Sequence, residues 1–166
     1  MATNIYLKIE GPDVKGESTD EKHADQIEVL GWSHSFHQPT SPVRSTAGSG
    51  TVERANHSDL TFTKYTDISS LDLLKHCWSG QHFTKMTFQQ FRSGGVGKEV
   101  EFLRVELEDV VISNFAVSAG AGDIPVENIS LAYGKITYMY DPADEKTGAG
   151  AGHKPAIHDL KTNTVS

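Results

Sequence analysis

Four groupings of residues have the types that chemistry requires, and spacing answers each of them. Asp20 and His23 stand three residues apart, as an acid and a base sharing a proton might be arranged. They fall in a polar segment, residues 11–24, broken by Gly11, Pro12 and Gly16, so the pair reads as a loop hydrogen bond fixing the turn after Gly16. His76 and Cys77 offer a base and a thiol, but they are neighbours in a helical pattern, where adjacent residues do not face each other. Cys77 instead joins Leu73, Leu74 and Trp78 in an apolar stripe, the usual setting of cysteine as a small hydrophobe. Among the eight histidines, His34 and His37 are close in sequence, and His76 and His82 flank a helix end. Strand spacing puts His34 with Phe36 and turns His37 elsewhere, and no Cys-x-x-Cys or His-Glu-x-x-His accompanies them as zinc would require. Gly94-Gly-Val-Gly-Lys98 has the look of a phosphate loop, yet Arg92 stands where its first glycine belongs and Glu99 where its Ser or Thr belongs. It also joins two strand patterns, leaving no helix N-terminus to face a phosphate, so a hairpin turn is expected. No catalytic residue, metal site or cofactor is predicted.

Composition narrows the classes further. A chain of 166 residues suits one domain with a sizeable core. The single cysteine, Cys77, rules out an intramolecular disulfide framework and fits synthesis in a reducing compartment. Fifteen basic against 22 acidic residues, net charge −7, argue against nucleic acid or an anionic membrane as the main partner. No apolar run reaches the roughly 18 residues that span a bilayer, so no membrane insertion is expected. The first residues, Met-Ala-Thr-Asn-Ile-Tyr-Leu-Lys, carry no basic segment followed by an apolar one, so no signal peptide is expected. The Asn-x-Ser sequons at Asn56 and Asn128 then carry no weight.

Period-two alternation dominates the elements that must position any site. Ile5, Leu7 and Ile9 alternate with Tyr6, Lys8 and Glu10. Ile27 and Val29 share one face, while Leu30, Trp32, His34 and Phe36 continue on the other; either a bulge near Gly31 or a strand first buried on both faces would give this pattern. Residues 37–56 have two prolines, two glycines and small hydroxyl residues, with Val43 and Val52 as apolar anchors, and read as a long extended loop, either functional or a floppy insertion. Leu60, Phe62 and Lys64 open the next strand. Residues 69–79 read as the one helix, with Ser69 and Asp72 as a capping box and Gly80 as its left-handed end. Strands follow at 85–92 and 99–108, then 110–118 with a bulge around Asp109, and a long final strand with Ile129, Leu131, Tyr133 and Met139 on one face and Ala132, Gly134, Ile136 and Tyr138 on the other. The pattern predicts a mainly β fold, a small antiparallel barrel or sandwich of seven strands with one short flanking helix, over residues 1–142. Residues 143–166 have too little apolar surface to offset ordering entropy and read as a mobile tail.

Three blocks carry a family resemblance. Lys15-Gly-Glu-Ser18, followed by Asp20, His23 and Ile27-Glu-Val-Leu30, resembles the near-terminal signature of the haemolysin co-regulated protein (Hcp) family, the tube subunits of type VI secretion systems. Asp59-Leu-Thr-Phe-Thr-Lys-Tyr-Thr-Asp67 and Glu127-Asn-Ile-Ser-Leu-Ala-Tyr-Gly-Lys-Ile-Thr-Tyr-Met-Tyr140 are similar to that family as well. Leu71 departs from it, since many members have proline as the first helical residue; proline there is favourable but not required. The resemblance implies assembly rather than catalysis. Copies of this chain would close head to tail into homohexameric rings that stack into a tube. A trimeric spike would cap the tube, a contractile sheath would drive it out of the bacterial cytoplasm, and small effector proteins would travel in its lumen. By position, Pro39, Val43, Arg44, Ser45 and Val52 are candidates for contacts between subunits or stacked rings. The polar face of Lys85, Thr87 and Gln89 would line either the channel or the outer surface. A monomeric β-barrel that binds a ligand or protein is the alternative reading.

Overall fold

The computed structural model describes residues 4–40, 54–93, 99–142, 152 and 154–166, which form twelve strands and one helix. Its spine is the twenty-residue β8 (Glu99–Ser118). One edge of β8 pairs with β7 (His82–Ser93) from Glu99 to Val111. The other pairs first with β10 (Lys135–Tyr140), up to Glu108 opposite Lys135, and then with β9 (Val126–Ala132), from Val111 opposite Ala132. The change of partner falls at Asp109, which takes a positive φ of 54°. The expected bulge there is not formed, since the register to β7 runs unbroken past Asp109 and the shift against β9 comes between Ile112 and Asn114.

From this spine the sheet wraps the core in two directions. β7 pairs with β1 (Asn4–Glu10), which pairs with β2 (Ile27–Glu28). β9 pairs with β6 (Leu60–Tyr65), which pairs with β3 (Gly31–Ser33). Among the described residues no direct pairing closes the ring. The chain itself crosses the gap between β2 and β3, where Val29 N–H donates to Ile5 O at 3.0 Å and Leu30 N–H to Thr63 O at 2.8 Å. The phase change near Gly31 is therefore a strand leaving one partner for another.

Inside lie Leu7, Ile27, Phe62, Met86, Phe88, Leu107, Ile129 and Leu131, all essentially inaccessible to solvent. Each such side chain stabilises the fold by about 1.5–3 kcal/mol relative to exposure. The alternating partners face out, so the period-two pattern in the sequence is the division between core and surface.

Helix α1 (Ser69–Ser79) spans the expected residues, and Gly80 ends it with φ 67°. Its start differs from the expected capping box. Ser69 and Ser70 are buried inside the first turn, and the cap is Asp67, whose Oδ1 accepts from Ser69 N–H at 2.9 Å. The expected apolar stripe is also split: Leu73 is buried and Leu74 and Cys77 are half-buried, but Trp78 is 77% exposed.

Two further expectations change. The long final strand is broken after Ala132 into β9 and β10, and past Gly134 the phase shifts so that Ile136 faces the core. Within the segment expected to be a mobile tail, β11 (Lys154–Asp159) pairs along all of β10, and β12 (Thr164–Val165) folds back on β11. Local polar chemistry orders this hairpin in place of a hydrophobic face. Asp159 Oδ1 accepts from Lys161 and Thr162 N–H, and Asn163 takes a positive φ of 54° in the turn. Lys161 Nζ then lies 2.6 Å from Asp109 Oδ2 on β8, holding that carboxyl below its usual range, with the His82 hydrogen bond adding to the effect. Residues 143–151 and 153 lie outside the described residues, as does the turn expected at 94–97.

Candidate functional site

Three features could serve an assembly or a ligand: a buried polar cluster that sets the helix, a polar basin on the outer face of the sheet, and a groove of mixed polarity, with exposed apolar side chains, next to the turn that leads into the helix.

The cluster centres on Lys64, whose side chain is 0% exposed. Alternation puts Lys64 on the inward face of β6 with Leu60 and Phe62, directly opposite Glu127 on β9. Its Nζ donates to Tyr65 O at 3.0 Å, Asp67 Oδ1 at 2.9 Å and Ser70 Oγ at 2.9 Å, and lies 2.8 Å from Glu127 Oε2. Ser70 Oγ donates onward to Glu127 Oε2 at 2.8 Å, and Ser69 Oγ donates to Asp67 Oδ1. A buried ammonium is costly unless it is both paired and fully hydrogen-bonded, and here it is both. The two later family-like blocks of the sequence supply Lys64, Asp67 and Glu127, so this cluster is the physical content of their spacing.

The first block is fixed in a related way. Gly16 is required by close approach, because a Cβ there would sit 2.4 Å from Gln26 O. Asp20 Oδ1 accepts from Lys22 N–H at 3.0 Å and His23 N–H at 3.1 Å. The pair is thus a loop bond as expected, made by the His23 backbone, while the ring stacks on Tyr6 at 4.4 Å. Glu17 Oε1 reaches across to accept from Ile68 N–H at 3.1 Å, joining this loop to the start of α1.

Lys85, Thr87 and Gln89 are brought together as expected, on the face of β7 opposite Met86 and Phe88. With Lys8, Glu10, Arg104 and Glu106 they line a shallow basin of about 460 Å³. Charges within it pair locally. Lys85 lies 3.3 Å from Glu106, and Arg104 lies 3.7 Å from Glu106 and 2.5 Å from Glu101. The Glu101 hydrogen bond raises the Arg104 pKa above its already high ordinary value. Such a face is polar, with an excess of cations, and most of its charges are held by partners on the same face.

The groove went unnoticed in the sequence. Leu30, Tyr65 and Ile124, all at least half exposed, line a hollow of about 450 Å³ with Tyr6, Glu17 and Asp67. Ile68 and Leu71 at the start of α1 are also exposed, at 60% and 64%. Nothing in periodicity flags these residues, because they sit at strand ends and on the outer side of a helix that alternation had already assigned. Of the expected loop contacts, Pro39 is half-buried, and Val43, Arg44, Ser45 and Val52 lie outside the described residues. The loop is pinched at its base by a two-stranded ribbon of β4 (Phe36–His37) and β5 (Asn56–His57).

Comparison with known proteins agrees with this geometry. The family model described as "Type VI secretion system effector, Hcp" matches residues 6–140. The chain is 36% identical over 143 residues to Protein hcp1 of Pseudomonas aeruginosa, covering 86% of this chain and 85% of that protein. It superposes on a solved type six secretion system protein with a TM-score of 0.87 at 30% identity, over 99% of this chain and 100% of the other. Hcp1 from Salmonella typhimurium gives a TM-score of 0.79 at 27% identity, over 100% of each chain.

The buried cluster makes a quantitative prediction. Lys64→Met strands the Glu127 and Asp67 carboxylates and should cost about 3–5 kcal/mol of unfolding free energy. Lys64→Met with Glu127→Leu should recover most of that loss, read as a coupling in a double-mutant cycle by urea unfolding. Additive losses would show that the ion pair does not organise this region.

Proposed function

The chain belongs to the Hcp family of type VI secretion tube proteins, and from that premise we propose that it is the repeating subunit of the secreted inner tube. Copies close head to tail into hexameric rings, the rings stack, and small effector proteins travel in the lumen. A trimeric spike and a contractile sheath are the other partners, and the role is structural rather than catalytic. The observation that carries this reading is the family match over residues 6–140, joined to a likeness in fold that runs the whole length of both chains.

The exposed side chains are consistent with it. Leu30, Tyr65, Ile68, Leu71, Trp78 and Ile124 are large, apolar and at least half exposed on a single chain, as surfaces waiting for a neighbour are. A head-to-tail contact that returns on itself by rotation closes into a ring without self-complementary patches. The basin of Lys85, Thr87 and Gln89 is assigned to the lumen, because locally paired charges let cargo slide past without binding tightly. Pro39, Val43, Arg44, Ser45 and Val52 are assigned to contacts between subunits or stacked rings.

Solution mass with negative-stain microscopy tests the function. The expected result is a species of six chain masses with ring-shaped particles. A monomer at high concentration, with no rings on the grid, would overturn the reading and favour a monomeric binding barrel. Deleting residues 40–50 should leave the circular dichroism and unfolding midpoint of the subunit intact while weakening ring or tube assembly. Unchanged assembly would remove the loop from the interface. In a Gln89→Cys variant, a maleimide on a carrier wider than the channel should label dissociated subunits and spare the assembled tube. Equal labelling of both would place the basin on the outside.

A further inference from the structure

Three histidines that are far apart in sequence meet where the β4–β5 ribbon rests on the sheet. His34 follows β3, His57 is on β5 and His158 is on β11. Two tyrosines join them: Tyr133, between β9 and β10, and Tyr138 on β10. His34 Nδ1 lies 2.7 Å from Tyr138 Oη, and His34 Nε2 lies 3.1 Å from Ser58 O and 2.8 Å from Tyr133 Oη. Tyr133 Oη lies 2.7 Å from His57 Nδ1. His57 Nε2 lies 2.7 Å from His158 Nδ1, and His158 Nε2 lies 3.3 Å from Asn163 Oδ1. Phe36 covers the cluster, 4.3 Å from the His34 ring and 4.9 Å from the His57 ring.

One proton arrangement satisfies every contact. Ser58 O can only accept, so His34 carries its proton on Nε2 and its Nδ1 accepts from the Tyr138 hydroxyl. Tyr133 Oη, facing the His34 Nε2–H, turns its own proton to His57 Nδ1. His57 Nε2–H then donates to His158 Nδ1, and His158 Nε2–H donates to Asn163 Oδ1. All three rings are neutral, and each has the same tautomer.

We propose that this chain of hydrogen bonds is an acid-operated latch, closed at neutral pH to hold the β4–β5 ribbon against β10 and β11, and opened when the histidines take up protons. The ribbon is a separate two-stranded sheet, with Phe36 and His37 both exposed. Among the described residues, His57 ties the ribbon to Tyr133 and His158, and His34, just before the ribbon, ties the chain to Tyr133 and Tyr138. Protons would act at two points. At His34, an Nδ1–H faces the Tyr138 hydroxyl, which must turn away from donating. At the His57–His158 contact one extra proton can be shared, but a second sets N–H against N–H and charge against charge at 2.7 Å, with no rotor to relieve it.

The groups that face the chain are consistent with this. Burial lowers the His34 pKa; the Ser58 carbonyl acts against that, the His57 charge adds to it, and Asp59 opposes it. Burial, then His158, then Arg54 lower that of His57. Burial raises Tyr138 to about 12 and also raises Tyr133, with Tyr138 and Asp59 adding to the latter, so both phenols keep their protons throughout. The sign follows from linkage. Histidines lowered in the closed state bind more protons when open, so the latch is complete above the ordinary imidazole value of about 6.5 and is lost as pH falls through the lowered values.

Hydrogen exchange on the full chain, read by mass spectrometry and corrected for the intrinsic rate, tests the proposal. Between pH 7.5 and 5.0, peptides covering 34–40 and 54–59 should lose protection by about tenfold or more, while β7 and β8 keep theirs. In His158→Gln the side-chain oxygen still accepts from His57 but does not titrate, so opening should move to lower pH. Imidazole nitrogen NMR of the unmodified chain at pH 7.5 should show three neutral Nε2–H rings, a readout that needs no variant. Equal ribbon protection at both pH values, loss shared equally with β7 and β8, or an unchanged midpoint in His158→Gln would each overturn it.

Discussion

The burial of one ammonium constrains more of this fold than any single apolar contact. Lys64 reaches zero exposure, and four oxygens must converge on it to make that tolerable. Meeting that condition fixes the surroundings. β6 must pair with β9 in the register that sets Lys64 opposite Glu127. The chain must turn straight after Tyr65 so that Asp67 comes back over the ammonium, and α1 must begin at once so that Ser70 lies between the two carboxylates. Hydrophobic burial would tolerate several registers of β6 on β9. An ion pair with these partners tolerates one. The same constraint reaches the first loop, because the residue that follows Asp67 donates its N–H to Glu17.

That dependence also explains how much of the molecule was legible in the sequence. Strands were legible because one face of each is apolar, and alternation records that directly. Helix α1 was legible in extent from Leu73, Leu74 and Gly80. Its extent from Ser69 was read correctly, but the capping box of Ser69 and Asp72 was not formed, because the serines are drawn into a tertiary network through Lys64. Trp78 was placed with the core because helical spacing does not tell a surface facing solvent from one awaiting a partner. The C-terminal hairpin was missed for a different reason. Its order comes from the Asp159 turn, Asn163 and the Lys161–Asp109 pair, none of which gives an apolar period. The break at Gly134 was hidden because the residues on either side of it alternate well.

The candidate sites divide in the same way. Lys85, Thr87 and Gln89 were found together because they are consecutive outward positions of one strand. The groove and the histidine chain were not, since their members come from separate elements and only topology brings them together. His34 lies 104 residues from Tyr138, and His57 lies 101 from His158. No local window contains such a pair.

Two polar networks thus hold peripheral elements to the core, and they differ in exposure. In the Lys64 cluster the ammonium and the Glu127 carboxylate are sealed from solvent, and Asp67 closes it on the side of the groove. The histidine chain is half-buried and made of groups whose ordinary titration lies near neutrality. It also joins the ribbon and the C-terminal hairpin, the parts that add least to the apolar core. A fold built this way can loosen at its margin while the main sheet stays intact, because the Lys64 cluster ties β6, β9 and the start of α1, whereas the histidine chain ties the ribbon to β10 and β11. The start of the helix is tied by the first and the ribbon by the second.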